Sequence, residues 1–277
     1  MPLPPTLRNC LFTADDWGLS SAVNEGIFDL AARGIVTRVS VLANGEYLES
    51  GLGDLAKLPG VTLGLHFNLT YGPVPRSVMA DPAARLLVHE IEEGTGAKWE
   101  YPGTLPRAAL RIVFERLMAP HGLALALQAH LRGQLSALER LGVHVSYLDG
   151  HHHVHILPGV LRALAPVLRE RGIRQVRVPF DSRMLATIRA PLPLMAWPAR
   201  YTVMRLGLEA LPFHYPRLRD MQDQEKWARD LQKIAGSGPT EMVVHPARRD
   251  DVASLEYPDS YGAGRVTEYR ALLRLDR

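Results

Sequence analysis

Cysteine is almost absent from this sequence: Cys10 is the only one among 277 residues. A single cysteine excludes an intrachain disulfide, so disulfide bonds cannot support the fold. Such low cysteine usage is typical of a reducing compartment, and we expect a cytoplasmic protein. Nothing around Cys10 marks an activated thiolate, so we interpret it as an inert residue of a strand.

Long apolar runs are also lacking. A membrane-spanning helix requires roughly 18 uninterrupted apolar residues, and the apolar stretch 192–204 contains prolines and is interrupted by Arg200. The first eight residues show no charged segment followed by an apolar core, so the sequence predicts no signal peptide. We therefore expect no transmembrane segment.

Lysine is scarce, and the formal net charge is only +3. Nearly all of the positive charge comes from arginines, which are scattered along the chain rather than clustered into a basic stripe. Binding to nucleic acid therefore has little support, and a solvated, arginine-rich surface is the simpler interpretation.

What the sequence does contain is an alternation of short apolar segments with segments of helical periodicity. This order favours a parallel sheet with helical crossovers. The predicted strands are 9–14, 36–43, 61–69, 143–148, 175–178 and 241–244. The predicted helices are about 20–32, 46–58, 106–118, 123–141, 158–171, 222–234 and 266–273.

At least six strand–helix units follow one another without a linker, so we expect one domain over residues 1–277. The chain length is normal for an α/β barrel. We predict a distorted, single-domain (β/α) barrel similar to a TIM barrel, with an open flavodoxin-like sheet as the alternative. Residues 71–105, rich in Pro and Gly, interrupt the alternation as an excursion, and 180–220 give no clear prediction.

Ionisable residues recur where the predicted strands end. Asp15 and Asp16 follow the first strand, His66 lies near the end of the third, and Asp149 and His245 follow two later ones. Because the carboxyl ends of parallel strands meet at one edge, we expect these side chains to surround one cavity.

Two neighbouring carboxylates repel each other, so a nearby cation is needed to keep both Asp15 and Asp16 ionised. One could bind a metal while the other acts as a general base. Taken alone, either residue could simply cap the following helix. His66 alone would be a core or rim histidine, and His245 could be a general acid or a substrate contact.

Four histidines within five residues form the densest signal: His151, His152, His153 and His155. Histidine together with carboxylate suits zinc or another divalent cation. The sequence therefore predicts a metal between one of the two aspartates and one or two of these histidines, while the others line the pocket or support the ligands. The alternatives are a polar loop without metal and a metal-storage tract, although such tracts belong to flexible segments.

Arg177 stands at the end of the predicted strand 175–178. It could neutralise and orient a catalytic aspartate or bind substrate, and a plain structural ion pair is the alternative.

Several short motifs resemble those of one known family, the YdjC-like carbohydrate deacetylases, which include bacterial chitooligosaccharide deacetylases. The motifs are Ala14-Asp15-Asp16-Trp17-Gly18, Gly64-Leu65-His66-Phe67-Asn68, Asp149-Gly150-His151-His152-His153 and Val244-His245-Pro246. The resemblance covers nearly the whole chain. Trp17 stands where the family usually has Phe, Ala247 stands where Gly is more usual, and 183–220 are unlike the chitooligosaccharide enzymes.

The resemblance implies a distorted (β/α) barrel and the removal of an acetyl group from an N-acetylated sugar or glycoconjugate. It implies one divalent metal ion, Zn or Mg, bound by Asp16, His66 and His151. Asp15 would be the general base, and His245 would assist as an acid or oxyanion partner.

Four further residues are candidates for substrate contacts or for support of the metal ligands: Arg177, His155, His153 and Asn68. The sequence does not name the sugar, and it leaves open whether the chain forms a homodimer.

Two other functions stay open on the residues alone. The first is a metal-dependent phosphoesterase or amidohydrolase on a similar barrel, although those families tend to place a His-x-His pair at the first strand. Here the first strand ends in Asp15-Asp16. The second is a non-enzymatic metal-binding protein, which would bind several ions and have no cleft.

Overall fold

Seven parallel, mostly buried strands form the centre of the molecule. The computed structural model describes residues 4–93, 96–181, 191–252, 255 and 261–276. The strands are β1 (Cys10–Trp17), β2 (Val36–Val41), β3 (Thr62–Phe67), β4 (His89–Glu93), β5 (Gly96–Glu100), β6 (Tyr147–Gly150), β7 (Gln175–Val176), β8 (Phe213–His214) and β9 (Thr240–Val244). The main sheet has the order β7-β6-β3-β2-β1-β9-β8, and β4 and β5 form a separate antiparallel hairpin.

Helices follow most strands and cover the outside of the sheet. They are α1 (Ser21–Ala32), α2 (Leu52–Leu55), α3 (Arg76–Met79), α4 (Leu105–Met118), α5 (Pro120–Arg140), α6 (Val160–Glu170), α7 (Pro191–Arg205), α8 (Leu218–Gln222), α9 (Gln224–Gly236) and α10 (Gly262–Leu273). Within the described residues, no helix is long and apolar enough to cross a membrane.

Residues 209–214 join the two edges of the sheet. The backbone of Glu209 makes two hydrogen bonds of 2.8 Å with the β7 segment, and it pairs with Gln175 in parallel. Four residues later, Phe213 pairs with Glu241 of β9. This connection confirms the distorted (β/α) barrel, and it excludes the open sheet.

The helix expected over 46–58 is wrong for most of its length. Only Leu52–Leu55 forms a single helical turn, and turns precede it. The Asn24 side chain donates to the carbonyls of Tyr47 and Ser50, and Gly51 has a left-handed φ of 77°. These contacts hold the backbone in turns, because the helical hydrogen bonds would need the same groups.

Two strands extend further at their carboxyl ends than the sequence indicates, although the strand predicted over 143–148 begins only at Tyr147. β1 runs through both aspartates to Trp17, and β6 begins at Tyr147 and contains Asp149. The acidic residues therefore belong to the barrel strands themselves rather than to the loops that follow them.

The excursion at 71–105 contains α3 and the β4–β5 hairpin, and a chain of buried hydrogen bonds ties it to the barrel. The His130 Nε2–H donates to the Ala84 carbonyl at 2.9 Å, and Nδ1 lies 3.2 Å from the Tyr101 hydroxyl. Gln134 donates to that hydroxyl and to the carbonyl of Asn68 at the end of β3. Burial lowers the pKa of His130 from 6.5 to about 4, so this imidazole is neutral in the folded protein.

We expect this histidine to make the fold sensitive to acid. The unfolded chain binds a proton at the ordinary pKa of 6.5, whereas the folded chain does so only near 4, so stability falls as the pH drops through this window. The contribution of His130 amounts to a loss of about 2 kcal/mol by pH 5. Urea unfolding at several pH values should show a shallower pH dependence for His130→Gln than for the wild type. The exposed His121, changed to Gln, is the control that should keep the wild-type slope; equal slopes for all three proteins would contradict the assignment.

Gly64 of β3 leaves room for an aromatic ring. A Cβ at this position would lie 2.3 Å from ring atoms of Tyr147 on the neighbouring strand β6. The Arg38 guanidinium lies 3.9 Å from the centroid of that ring, and the hydroxyl lies 3.1 Å from Ser40 Oγ. The glycine of the Gly-Leu-His motif is thus required by close packing.

Gly64→Ala should lower the free energy of unfolding by about 1–3 kcal/mol, because the added methyl group overpacks the site. The matched control is Gly53→Ala in α2, where a Cβ would meet nothing within 4 Å. That substitution should leave stability unchanged or raise it by about 0.5–1 kcal/mol. Urea unfolding checks both variants, and a Gly64→Ala protein as stable as the wild type would refute the packing argument.

Candidate active site

Both aspartates of β1 lie near the same histidine, His66, because the strand is irregular there. The register between β1 and β2 shifts between Ala14 and Trp17, and Asp16 has a φ of 73°. A non-glycine residue in this left-handed region is strained, and such residues concentrate at functional sites. Asp16 Oδ1 consequently lies 3.2 Å from His66 Nε2, and Asp15 Oδ2 lies 4.0 Å from the same atom.

The histidine run forms a short 3-10 segment, His151–Ile156, after β6. His152 and His153 have φ values of 51° and 58°, in the left-handed region, which kink this segment. The turn places His151 Nδ1 3.0 Å from Asp16 Oδ1.

Asp16, His66 and His151 offer three potential metal ligands whose donor atoms lie within 4.8 Å of one another. His66 Nδ1 lies 2.7 Å from Asp149 Oδ1. Burial alone would raise the pKa of Asp149, but Arg177 and His66 outweigh it and hold that pKa well below its ordinary value. Because Asp149 is an anion, Nδ1 carries the hydrogen, and Nε2 is left to bind a cation.

A second group of donor atoms, from Asp15, His66 and Asp149, also lies within 4.8 Å. Both Asp15 oxygens already accept hydrogen bonds from Arg177 at 2.6 and 2.8 Å, and Asp149 Oδ2 forms an ion pair with Arg177 at 2.6 Å. The first group therefore fits a metal ion better than the second.

Arg177 is fully buried and contacts three carboxylates. It forms a two-pronged pair with Asp15, at 2.6 and 2.8 Å, and it contacts Asp149 at 2.6 Å and Glu241 at 2.9 Å. Its planar guanidinium fixes the orientation of Asp15, since both carboxylate oxygens are held.

The cluster carries an excess of negative charge. Four buried carboxylates, those of Asp15, Asp16, Asp149 and Glu241, face the guanidinium groups of Arg177 and Arg265. Burial alone would lower the pKa of His66, but Asp149 and Asp15 outweigh it and raise that pKa to about 10. A proton or a metal cation is therefore strongly favoured at His66 Nε2.

His245 also lies near Asp15, with Nε2 3.8 Å from Asp15 Oδ2. Its backbone N–H donates to Glu268, and its ring packs against those of Tyr215 and Tyr261. Among the described residues, Nδ1 has no hydrogen-bond partner. The side chain is 19% exposed, so it lies between the buried carboxylates and the solvent.

The remaining candidates contact the framework around the ligands. His155 Nε2–H donates to the Arg177 carbonyl at 2.8 Å, and burial lowers the pKa of His155 to about 4. Burial and the charge of Arg177 hold the pKa of His153 well below its ordinary value. The Asn68 side chain bonds Asn44 and backbone groups of the 68–71 turn. This geometry favours support of the site over substrate contact, and the roles of these residues stay predictions.

Sequence reasoning missed Arg265, Glu241 and Ser40. Arg265 of α10 donates to Asp16 Oδ2 at 2.6 Å, and Ser40 of β2 donates to Asp149 Oδ2 at 2.5 Å. Arg265 stands in a helix without a local motif, so only the folded chain reveals its place. Glu241 was detectable, because a glutamate within a buried apolar strand is rarely without a charged partner.

The fold and this cluster define an α/β-barrel protein with a candidate mononuclear metal centre at the carboxyl ends of its strands. The family model described as YdjC-like protein matches residues 9–275. The chain belongs to the YdjC-like family.

Relatives with names that describe an activity support this placement. The chain is 35% identical to a carbohydrate deacetylase of Mus musculus over 172 aligned residues. This alignment covers 61% of the present chain and 50% of the relative. The chain is 25% identical over 263 residues to a carbohydrate deacetylase of Brevibacillus brevis, covering 95% and 90%. A chitooligosaccharide deacetylase of Enterobacter sp. is 27% identical over 190 residues, covering 65% and 64%. The matched part thus spans about half the length of the mouse relative.

One similar solved structure is a protein of Enterococcus faecalis V583 whose description names cellobiose-phosphate cleavage. Its superposition on this chain has a TM-score of 0.59, and the two sequences are 19% identical. The match covers 95% of this chain and 89% of that chain. At this identity the likeness supports the fold.

We expect the metal-free protein to bind one divalent ion per chain, and His66→Ala or His151→Ala should weaken binding at least about tenfold. Isothermal titration with Zn²⁺, Co²⁺ and Mg²⁺ measures both quantities. His121→Ala, which removes an exposed histidine, is the control and should bind like the wild type. Several equivalents per chain, or unchanged affinity in both site variants, would contradict a mononuclear centre.

Proposed function

We propose that this protein is a metal-dependent N-deacetylase that removes an acetyl group from an N-acetylated sugar or glycoconjugate. The observation that carries the proposal is the convergence of three ligand atoms, from Asp16, His66 and His151, beside the carboxylate of Asp15. The names of the family relatives support the sugar and the acetyl group.

A divalent cation held by Asp16, His66 and His151 would supply a Lewis acid for the acetyl carbonyl and would activate the attacking water. This donor set suits zinc, and magnesium is the alternative, although its usual ligands are oxygens. The excess negative charge around Arg177 and Arg265 favours such a cation electrostatically.

Asp15 acts as the general base. Its carboxylate lies 4.0 Å from the Nε2 atom of His66. Asp15 is therefore adjacent to the three proposed ligands without being one of them. Arg177 holds both Asp15 oxygens, so the base keeps one orientation when it takes a proton from the attacking water.

His245 acts as the general acid. The water oxygen attacks the carbonyl carbon, and the C–N bond then breaks to give acetate and a free amine. The leaving nitrogen needs a proton, and His245 Nε2, 3.8 Å from Asp15, can deliver it from the more exposed side of the cavity.

The two other functions are less well supported. A metal carrier would not need a positioned base and acid beside its ion, and the phosphoesterase or amidohydrolase alternative has no observation in its favour. A cytoplasmic location and a homodimer stay predictions from the sequence.

Asp15→Asn should lower deacetylation by about 10²–10⁴-fold, because the amide cannot accept the proton. Acetate release from N-acetylated monosaccharides, oligosaccharides and lipid-linked sugars measures the activity. Asp54→Asn removes an exposed carboxylate, 74% accessible, and should keep full activity.

Metal content and circular dichroism of Asp15→Asn should match the wild type. If this variant binds metal, remains folded and retains full activity, Asp15 is not the base. The proposed function is wrong if the wild type, tested separately with Zn²⁺, Co²⁺ and Mg²⁺, never releases acetate from any of these substrates.

A further inference from the structure

The exposed large apolar side chains of the described residues are not scattered over the surface. All ten lie on α4, α7 and the beginning of α5, and they are 52–76% exposed. They are Leu110, Val113, Phe114, Leu117, Met118, Leu125, Leu194, Trp197, Tyr201 and Met204. We call this set the α4–α7 face.

Both long helices of the face are apolar on two sides. On α4, the exposed side chains repeat at the helical spacing i, i+3, i+4, i+7 and i+8, while Ala108 and Ile112 are buried on the opposite side. On α7, Trp197 and Tyr201 are exposed, while Ala196 and Val203 are buried. A helix with apolar residues on two opposite sides can bury one side against the protein and the other against a partner.

A groove of about 640 Å³ runs between α4–α5 and α7. Leu123 and Leu127 line one wall, Leu194 and Met195 line the other, and 156–159 contribute to the lining between them. Those residues directly follow the histidine run. The α4–α7 face therefore lies next to the loop that carries the candidate ligand His151.

The charge of this face is positive. The sequence contains no Asp or Glu from 182 to 208, and the single acidic residue of α4, Glu115, is buried. Arg107 and Arg116 of α4 are exposed, and so are Arg200 and Arg205 of α7. The face thus combines exposed leucine, phenylalanine and tryptophan with arginine.

We infer that the α4–α7 face docks on an anionic lipid bilayer. Apolar side chains enter the boundary between headgroups and acyl chains, and arginines bind the negative surface. Trp and Tyr side chains, such as Trp197 and Tyr201, favour the same boundary. A second copy fits less well, because a symmetric dimer would place the arginines of one face against those of the other.

Docking would present the active site to acetylated sugars that are anchored in the bilayer. This consequence rests on the proposed function. The docking itself does not, and it can be measured without any deacetylation.

The test is co-sedimentation of the full chain with large unilamellar vesicles. We expect binding to vesicles of phosphatidylglycerol and phosphatidylcholine, weaker binding to pure phosphatidylcholine, and a decrease with added salt. Trp197→Ser and the double variant Arg200→Glu/Arg205→Glu should each lower the partition coefficient about tenfold. The double variant Arg229→Glu/Lys233→Glu, which reverses two exposed charges on the distant helix α9, is the matched charge control and should bind like the wild type.

All variants are checked for fold by circular dichroism and for acetate release from a water-soluble substrate, both of which should be unchanged. Wild-type protein that binds neither vesicle type would overturn the proposal, as would face variants that bind like the wild type. Light scattering that shows a dimer in the wild type and a monomer in Trp197→Ser would assign the face to a second copy instead.

Discussion

One buried guanidinium organises the centre of this protein. Arg177 follows β7 and contacts carboxylates from β1, β6 and β9, so a single side chain links strands around the barrel. A fully buried arginine is costly unless it is paired with opposite charge, and here Asp15, Asp149 and Glu241 provide that pairing. The constraint also works in the other direction, because each of these carboxylates is held in one orientation by the same group.

The different roles of the three aspartates, Asp15, Asp16 and Asp149, follow from the cations and histidines that surround each of them. Asp149 is held between Arg177 and His66, and it fixes which nitrogen of His66 faces the cavity. Asp15 is fixed by Arg177 but lies beside the ligand atoms. Asp16 is held by a different cation, Arg265, and its second oxygen is directed to the two histidines. Two adjacent aspartates thereby have different surroundings and can take different roles.

Much of this could be predicted from the sequence. The alternation of strands and helices predicts the barrel, and the rule that parallel strands end at one edge brings Asp16, His66 and His151 together. The resemblance to the YdjC-like family, confirmed by the family match, adds the expected chemistry. These predictions succeed because apolar periodicity and topology are encoded locally, in segments of a few residues.

Other features could not be predicted because they depend on contacts distant in sequence. Arg265 reaches Asp16 across 249 positions, and no local pattern marks it. The left-handed backbone of Asp16 allows both aspartates to lie near His66, and it is held by the bulge against β2. The helix expected over 46–58 is prevented by Asn24, which bonds the carbonyls that the helix would have used.

The most direct test of this account is the position of the bound ion. In a crystal soaked with Zn²⁺, diffraction data at the zinc absorption edge locate the metal from its anomalous signal alone. We expect one peak bound by Asp16, His66 and His151, with Asp15 outside the coordination sphere and still paired with Arg177. A peak bound by Asp15, His66 and Asp149, with Arg177 displaced, would contradict this expectation.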